Sequence, residues 1–289
     1  MKQFPASQLL INDDGSIFHL HIKPEQLADN VILVGDPGRV ALVASYFDTQ
    51  ECSISSREFN TITGTYKGKH ISVISTGIGT DNIDIVMNEL DALANIDLKN
   101  RTEKPDFRQL NIVRIGTCGG MQPEIPLGSF LVSQKSIGFD GVLSFYAGRN
   151  EVCDLDFEKA FKKYMDWSPL LASPYVIDNN AELIERIAQN DMFRGVTISS
   201  NGFYGPQGRV LRLNLADMNM NDKIESFCYN DYKITNYEME GSAIAGLSAL
   251  MGHKAMTVCC VIAQRAVEAA NTDYKPQIEK LIRTVLDRI

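Results

Sequence analysis

Val31-Ile32-Leu33-Val34-Gly35-Asp36-Pro37-Gly38-Arg39 is the stretch on which the fold class turns. Its apolar, β-branched opening, ended by glycine, reads as a buried strand. The residues after Gly35 read as a helix start. Asp36 can cap the free N–H groups, and Pro37 sits in the first turn, where its missing N–H costs nothing. The helix then runs over residues 40–47. Similar runs recur at residues 71–79, 112–116, 129–132, 196–199 and 256–263. Between several of them lie stretches of helical spacing. One opens at Asp81 and places Ile85, Leu90 and Leu93 on one side. Others are expected over residues 181–189, 218–229, 238–251 (closed by Gly252) and 275–289. Strands alternating with helices define an α/β fold with a largely parallel or mixed sheet. Tyr66-Lys67-Gly68-Lys69-His70 reads as a hairpin turn, and the polar segments 99–107 and 148–156 read as surface excursions.

The chain has 289 residues, 28 of them basic and 36 acidic, for a net charge of −8. A chain of this size buries enough surface on folding to need no disulfide or metal staple. The acidic balance speaks against a nucleic-acid binder, which is usually basic, but leaves room for a local cationic pocket. Residues 1–15 carry one lysine and no long apolar run, so no secretion signal is read there. The strongest apolar run, residues 255–263, is too short to span a bilayer. Six cysteines form no CxxC pair and have no histidine at zinc spacing, and the four histidines are scattered. The expectation is a cytoplasmic protein with reduced thiols and no metal centre.

Two familiar phosphate-binding patterns fail. Gly77-Ile78-Gly79 is followed by Asn82 where a dinucleotide fingerprint needs glycine, and residues 64–69 are one short of a P-loop. The turn Gly35-Asp36-Pro37-Gly38-Arg39 remains, with N–H groups and a guanidinium at a helix start, although an ordinary turn with a solvated arginine fits as well. Arg114 stands inside the apolar run Ile112-Val113-Arg114-Ile115-Gly116-Thr117, where an unpaired charge is costly. Its partner is either a structural carboxylate or an anionic ligand. Arg57, in Ser56-Arg57-Glu58-Phe59, reads alone as a surface ion pair. Tyr237-Glu238-Met239-Glu240-Gly241 reads as a helix start. Either its acids answer the helix dipole, or Glu240 accepts the vicinal hydroxyls of a sugar with Met239 packed on the ring. Phe203-Tyr204-Gly205-Pro206-Gln207-Gly208-Arg209 is either a surface loop or a platform for a planar base.

Taken in order, these motifs resemble the nucleoside phosphorylases over nearly the whole chain, and most closely their uridine phosphorylase branch. Phe18-His19-Leu20, Ser75-Thr76-Gly77-Ile78-Gly79 and residues 261–265 complete the set. The resemblance implies a single domain over residues 1–289, a three-layer α/β/α arrangement around a central mixed β-sheet. It implies a phosphate site from Gly35, Arg39, Arg114 and Thr117, with Arg57 contributed by a neighbouring subunit. It implies a ribose site from Met239 and Glu240, with His19 reaching across the same boundary; His21 is its near competitor. It implies a uracil site from Phe203, Gln207 and Arg209, with Arg265 nearby. Purine-specific relatives carry an aspartate near the place where this chain reads Ala263-Gln264-Arg265. The sequence departs from the family at Gly205-Pro206, Cys118 and Gln264.

The implied reaction is uridine plus phosphate going reversibly to uracil plus ribose 1-phosphate, a step of pyrimidine salvage. Arg114, Thr117, Glu240 and Arg209 are the expected catalytic residues. Phosphate is itself the nucleophile, so no cofactor is implied, although some relatives hold a monovalent cation at a boundary matching Glu58 and Ser75. The expected partners are the two small substrates and further copies of the chain, as a dimer or a hexamer of dimers, with neither nucleic acid nor membrane. A purine or broad-specificity phosphorylase is the alternative, and a non-catalytic nucleoside-binding protein the outsider.

Overall fold

The computed structural model describes residues 2–265 and 269–289. Its first strands are β1 (Asn30–Val34), β2 (Thr49–Ser56), β3 (Phe59–Tyr66), β4 (Lys69–Ser75), β5 (Ile96–Asp97), β6 (Thr102–Glu103) and β7 (Asn111–Gly120). The later ones are β8 (Phe130–Gly138), β9 (Tyr175–Asp178), β10 (Phe193–Ser199), β11 (Cys228–Tyr229), β12 (Tyr232–Glu238), β13 (Lys254–Gln264) and β14 (Ala269–Ala270). The helices are α1 (Pro37–Ala44), α2 (Thr80–Asn95), α3 (Arg149–Val152), α4 (Leu155–Met165), α5 (Ala181–Ala188), α6 (Met220–Ser226), α7 (Gly241–Met251) and α8 (Lys275–Arg288).

Twelve of these strands form one mixed sheet. β1 lies between β4 and β7, parallel to both. β7 is parallel to β13, which runs antiparallel to β8. β8, β10 and β12 come next as parallel neighbours. β12 then returns to β7, where Asn236 and Tyr237 pair antiparallel with Gly120 and Gly119. Strands β7, β13, β8, β10 and β12 thus close a ring, while β1, β4, β3 and β2 extend from it as an open arm. Gly120 suits the crowded joint, because a Cβ there would meet Gln264 Nε2 at 2.9 Å.

Strand alternation builds the layers. Val31 and Leu33 point to one face with Leu90, Leu93 and Leu247 from α2 and α7. Ile32 and Val34 point to the other with Val40, Leu183 and Leu281 from α1, α5 and α8. Period-two side chains on both faces are what a sheet covered by helices on each side requires. A third cluster fills the far side of the ring with Phe157, Phe161 and Phe227.

The first helix starts as expected, with Asp36 accepting the Gly38 N–H at 2.9 Å. The hairpin also forms, Tyr66 pairing with Lys69 across Lys67 and Gly68, both at positive φ. Three expectations need correction. The helix expected from residue 238 begins at Gly241, because Glu238 still pairs with Ser199 in the sheet. The helix expected over residues 218–229 is shorter, because Cys228 and Tyr229 turn back at Asn230 and Asp231 to pair with β12. Segment 148–156 is a surface segment but holds α3 and Asp154, whose side chain caps α4 through Phe157 N–H at 3.0 Å. The segment 99–107 is pinned by β6 on β5 and by Phe107 stacked on His253 at 5.6 Å.

Phe161 packs edge-on against Phe227 at 5.2 Å and beside Trp167 at 5.9 Å, with no exposed surface. Phe161→Ala should destabilise the protein by about 3–5 kcal/mol in urea unfolding. A loss below about 1 kcal/mol would contradict this packing.

Candidate active site

A cleft of about 590 Å³ opens where the carboxyl ends of β1, β4, β10, β12 and β13 meet the middle of β7. Strand ends of an α/β sheet are where backbone groups and loops converge on a ligand. Gly35, Arg39, Arg114, Thr117, Phe203, Gln207, Arg209, Met239 and Glu240 all line it. Residues far apart in sequence are brought together there. His19, Arg57 and Arg265 are not among its lining residues.

At the floor, the Arg114 guanidinium is clamped between two carboxylates. Its Nη2 donates to Glu240 Oε2, and its Nη1 lies 3.1 Å from Glu238 Oε2 and 3.4 Å from Cys259 Sγ. Burial alone would weaken its hold on the proton, but the two carboxylates outweigh it and keep Arg114 charged. The alternative left by the sequence resolves in favour of carboxylate partners at a residue that also faces the cleft. Gly116 makes the arrangement possible. A Cβ there would lie 2.1 Å from Arg114 Nη1, so the guanidinium folds back over a residue that has no side chain.

Glu240 is 3 % exposed, and its Oε1 takes the Gly79 N–H at 2.8 Å. Burial raises its pKa, Arg114 opposes the rise, and the neighbouring Glu238 charge adds to it. Each Glu240 oxygen thus already has one donor and one lone-pair direction left for a sugar hydroxyl. Gly79, at φ +98°, also fixes the start of α2 one residue before the expected Asp81.

At one end of the cleft, Arg39 donates to the Ile115 carbonyl at 3.3 Å. No carboxylate pairs with it among the described residues. Burial, then repulsion from Arg114, lowers its pKa. An arginine in that state gains from a bound anion. Thr117, Asp36 and Tyr274 complete this end.

At the other end, the Arg209 guanidinium lies 3.8 Å above the centre of the Phe203 ring and donates to the Phe203 carbonyl. It also donates to Gln207 Oε1 at 2.6 Å. Gln207 itself is buried, so the pair presents a fixed amide and guanidinium beside a half-exposed ring. Gly208, at φ +69°, turns the chain between them. Arg265 sits behind this end, over the Tyr237 ring at 5.3 Å, and it lowers the pKa of Arg209 after burial itself.

His19 and Arg57 gather elsewhere. His19 Nδ1 lies 2.6 Å from Glu89 Oε1, its ring meets Phe18 edge-on at 4.7 Å, and Arg57 lies over Phe18 at 5.8 Å. Arg57 is held at φ +55° in the turn between β2 and β3. Ser75 Oγ donates to the Glu58 carbonyl at 2.6 Å and accepts the Asn60 N–H at 2.7 Å. Both of its hydrogen-bonding roles are therefore met within the chain. Sequence reasoning gave Glu238, Ile78 and Tyr274 no role in the cleft. A carboxylate closing an apolar strand just before a helix was the available signal for Glu238.

The profile of the phosphorylase superfamily matches residues 29–287. The chain belongs to that family. It is 28 % identical over 274 residues to a uridine phosphorylase of Thermococcus kodakarensis, covering 92 % of this chain and 83 % of that protein. It is 24 % identical to a DeoD-type purine nucleoside phosphorylase of Bacillus subtilis, over 92 % of this chain and 98 % of the other. A solved Trypanosoma brucei nucleoside phosphorylase described as showing uridine phosphorylase activity superposes with a TM-score of 0.87 at 30 % identity, covering 97 % of this chain and 99 % of that one.

Gly116→Ala should displace Arg114 and lower kcat/KM by about a hundredfold, as small misplacements in a reacting site do. Wild-type turnover in a folded Gly116→Ala variant would contradict the clamp. The raised pKa of Glu240 makes a second expectation. Its ionised form is the acceptor, so activity falls as pH drops through that raised value. The acid limb of kcat/KM should therefore lie above the ordinary glutamate range, and a limb within that range would count against it.

Proposed function

We infer that the protein is a uridine phosphorylase, catalysing uridine plus phosphate to uracil plus ribose 1-phosphate reversibly, in pyrimidine salvage. One observation carries this reading. A cation with no carboxylate partner among the described residues (Arg39), a buried carboxylate with open lone pairs (Glu240) and a Gln207–Arg209 pair on an aromatic ring line a single cleft. These suit phosphate, ribose and uracil in turn. The similarity to proteins named uridine phosphorylase supports it.

Phosphate bound at Gly35, Arg39, Arg114 and Thr117 is the nucleophile. Holding it under the anomeric carbon turns a collision into a positioned attack. The transition state resembles a ribosyl oxocarbenium ion, which the adjacent phosphate charge stabilises. Glu240 and Met239 hold the ribose so that the glycosidic bond lies in line with the attack. Gln207 and Arg209 hydrogen-bond the uracil as negative charge develops on it, with Arg265 behind them. We assign His19 and Arg57 to the cleft of a second copy. They lie together outside their own cleft, so the working unit is a homo-oligomer of single-domain subunits with shared active sites, acting in the cytoplasm.

A purine phosphorylase would need a polar group matched to the purine five-membered ring. The strand end Ala263-Gln264-Arg265 offers no aspartate, and the amide–guanidinium pair matches the carbonyls and N–H of uracil. The test is a panel of uridine, thymidine, inosine and adenosine with and without inorganic phosphate. Uridine should be cleaved only with phosphate, and faster than inosine. Cleavage without phosphate would make the protein a hydrolase, and faster inosine turnover would overturn the base assignment. Arg39→Ala should raise the KM for phosphate by about tenfold or more while changing that for uridine far less.

A further inference from the structure

We propose that Glu238 is a positioning residue that places the Arg114 guanidinium and the Glu240 carboxylate together, so that the phosphate and ribose ends of the cleft are set by one buried side chain. This rests on the assignment of the cleft to phosphate, ribose and uracil.

Glu238 is the last residue of β12, and its side chain is 1 % exposed. Oε1 accepts the Ser199 hydroxyl and the Gly241 N–H at 3.0 Å. Oε2 accepts the N–H groups of Glu240 and Gly241, each at 2.9 Å, and faces Arg114 Nη1 at 3.1 Å. Donors thus reach both oxygens from β7, from β10 and from the start of α7. A carboxylate with its acceptor sites so fully used has one place to sit. The Ser199 hydroxyl is itself fixed, since it accepts the Ser242 N–H at 2.8 Å. Ser242 Oγ in turn donates to Asp140 at 3.2 Å and accepts from Tyr175 at 3.0 Å.

That position has two consequences. Glu238 and Glu240 grip different nitrogens of Arg114, so the guanidinium can neither rotate nor withdraw without breaking one of them. Glu238 also holds the backbone N–H of Glu240, which fixes where the Glu240 side chain leaves the chain. A helix cap alone would account for the contacts to Glu240 and Gly241 but not for the reach to Arg114. A shorter carboxylate separates the two roles. Aspartate is a good capping residue, but it falls one methylene short of Arg114.

The experiment compares Glu238→Asp, Glu238→Gln and Ser199→Ala with wild type in uridine turnover with inorganic phosphate, alongside thermal unfolding. Glu238→Asp should stay folded and still lose about a hundredfold in kcat/KM, the scale of a misplaced reacting group. Glu238→Gln keeps the length but places an NH₂ or an uncharged oxygen against Arg114, so it should not rescue activity. Ser199→Ala should show a smaller loss in the same direction. The Glu238→Gln variant should also carry its acid limb at lower pH. The groups facing Glu240 are Arg114 from β7, Glu238 from β12 and the Gly79 N–H, and Glu238 is the one like charge among them. Full activity in Glu238→Asp, or an acid limb unmoved in Glu238→Gln, would overturn the proposal. A wild-type protein that cleaves no nucleoside with phosphate would instead overturn the assignment of the cleft, so the two failures are distinct.

Discussion

A single arginine inside a β-strand governs the centre of this molecule. Arg114 lies among Ile112, Val113 and Ile115, and stripping water from a guanidinium costs several kcal/mol unless charge and hydrogen bonds replace it. The replacement comes from Glu238 and Glu240, at the end of a strand more than a hundred residues away. For those carboxylates to arrive, β12 has to curl back onto β7, which it does at Gly119 and Gly120. For the guanidinium to meet them, the residue two positions on must lack a side chain, and it is Gly116. The ring closure, the glycine pattern and the start of α7 are thus answers to one electrostatic demand.

That demand also divides labour among the cations. Arg114 has its charge answered within the protein, so its contribution to an anion is geometric as much as electrostatic. Among the described residues Arg39 has a carbonyl and no carboxylate, which leaves its charge available. Arg209 spends its planar face on Phe203 and one edge on Gln207, the geometry in which a guanidinium is both stacked and directional. Three arginines in one cleft therefore do three different things.

The parts legible in the sequence were those decided locally. Asp36 and Pro37 announce the start of α1 whatever surrounds them, and the apolar runs that became β1, β7 and β13 carry their own signal. The Lys67-Gly68 turn is equally local. β12 was not legible, because its buried residues include Thr235 and Asn236, whose side-chain oxygens find their partners on β10 and in each other. Read singly, such residues suggest surface. The same reason hid Glu238, whose reading as a helical residue fitted its neighbours until the Ser199 pairing claimed it for the sheet. The ring closure left no mark in any single segment. The motifs lining the cleft were found from their own residue types, a glycine-rich turn with an arginine, an arginine inside an apolar run and a carboxylate at a helix start, whereas Tyr274 follows no motif and enters the cleft only through the packing of α8.

The net charge of −8 gains a meaning from where the arginines sit. Arg39, Arg114 and Arg209 face Asp36, Glu58, Glu238 and Glu240 within the cleft, so its own charges nearly cancel and the acidic surplus belongs mostly to the rest of the molecule. Beyond a screening length of about 8 Å in physiological salt, a solute meets little of either field. Close to the surface, the surplus opposes anions, inorganic phosphate included, while an uncharged nucleoside approaches unopposed. The two substrates therefore meet the molecule differently on approach, and added salt screens the surplus for the anion while leaving the nucleoside's approach unchanged.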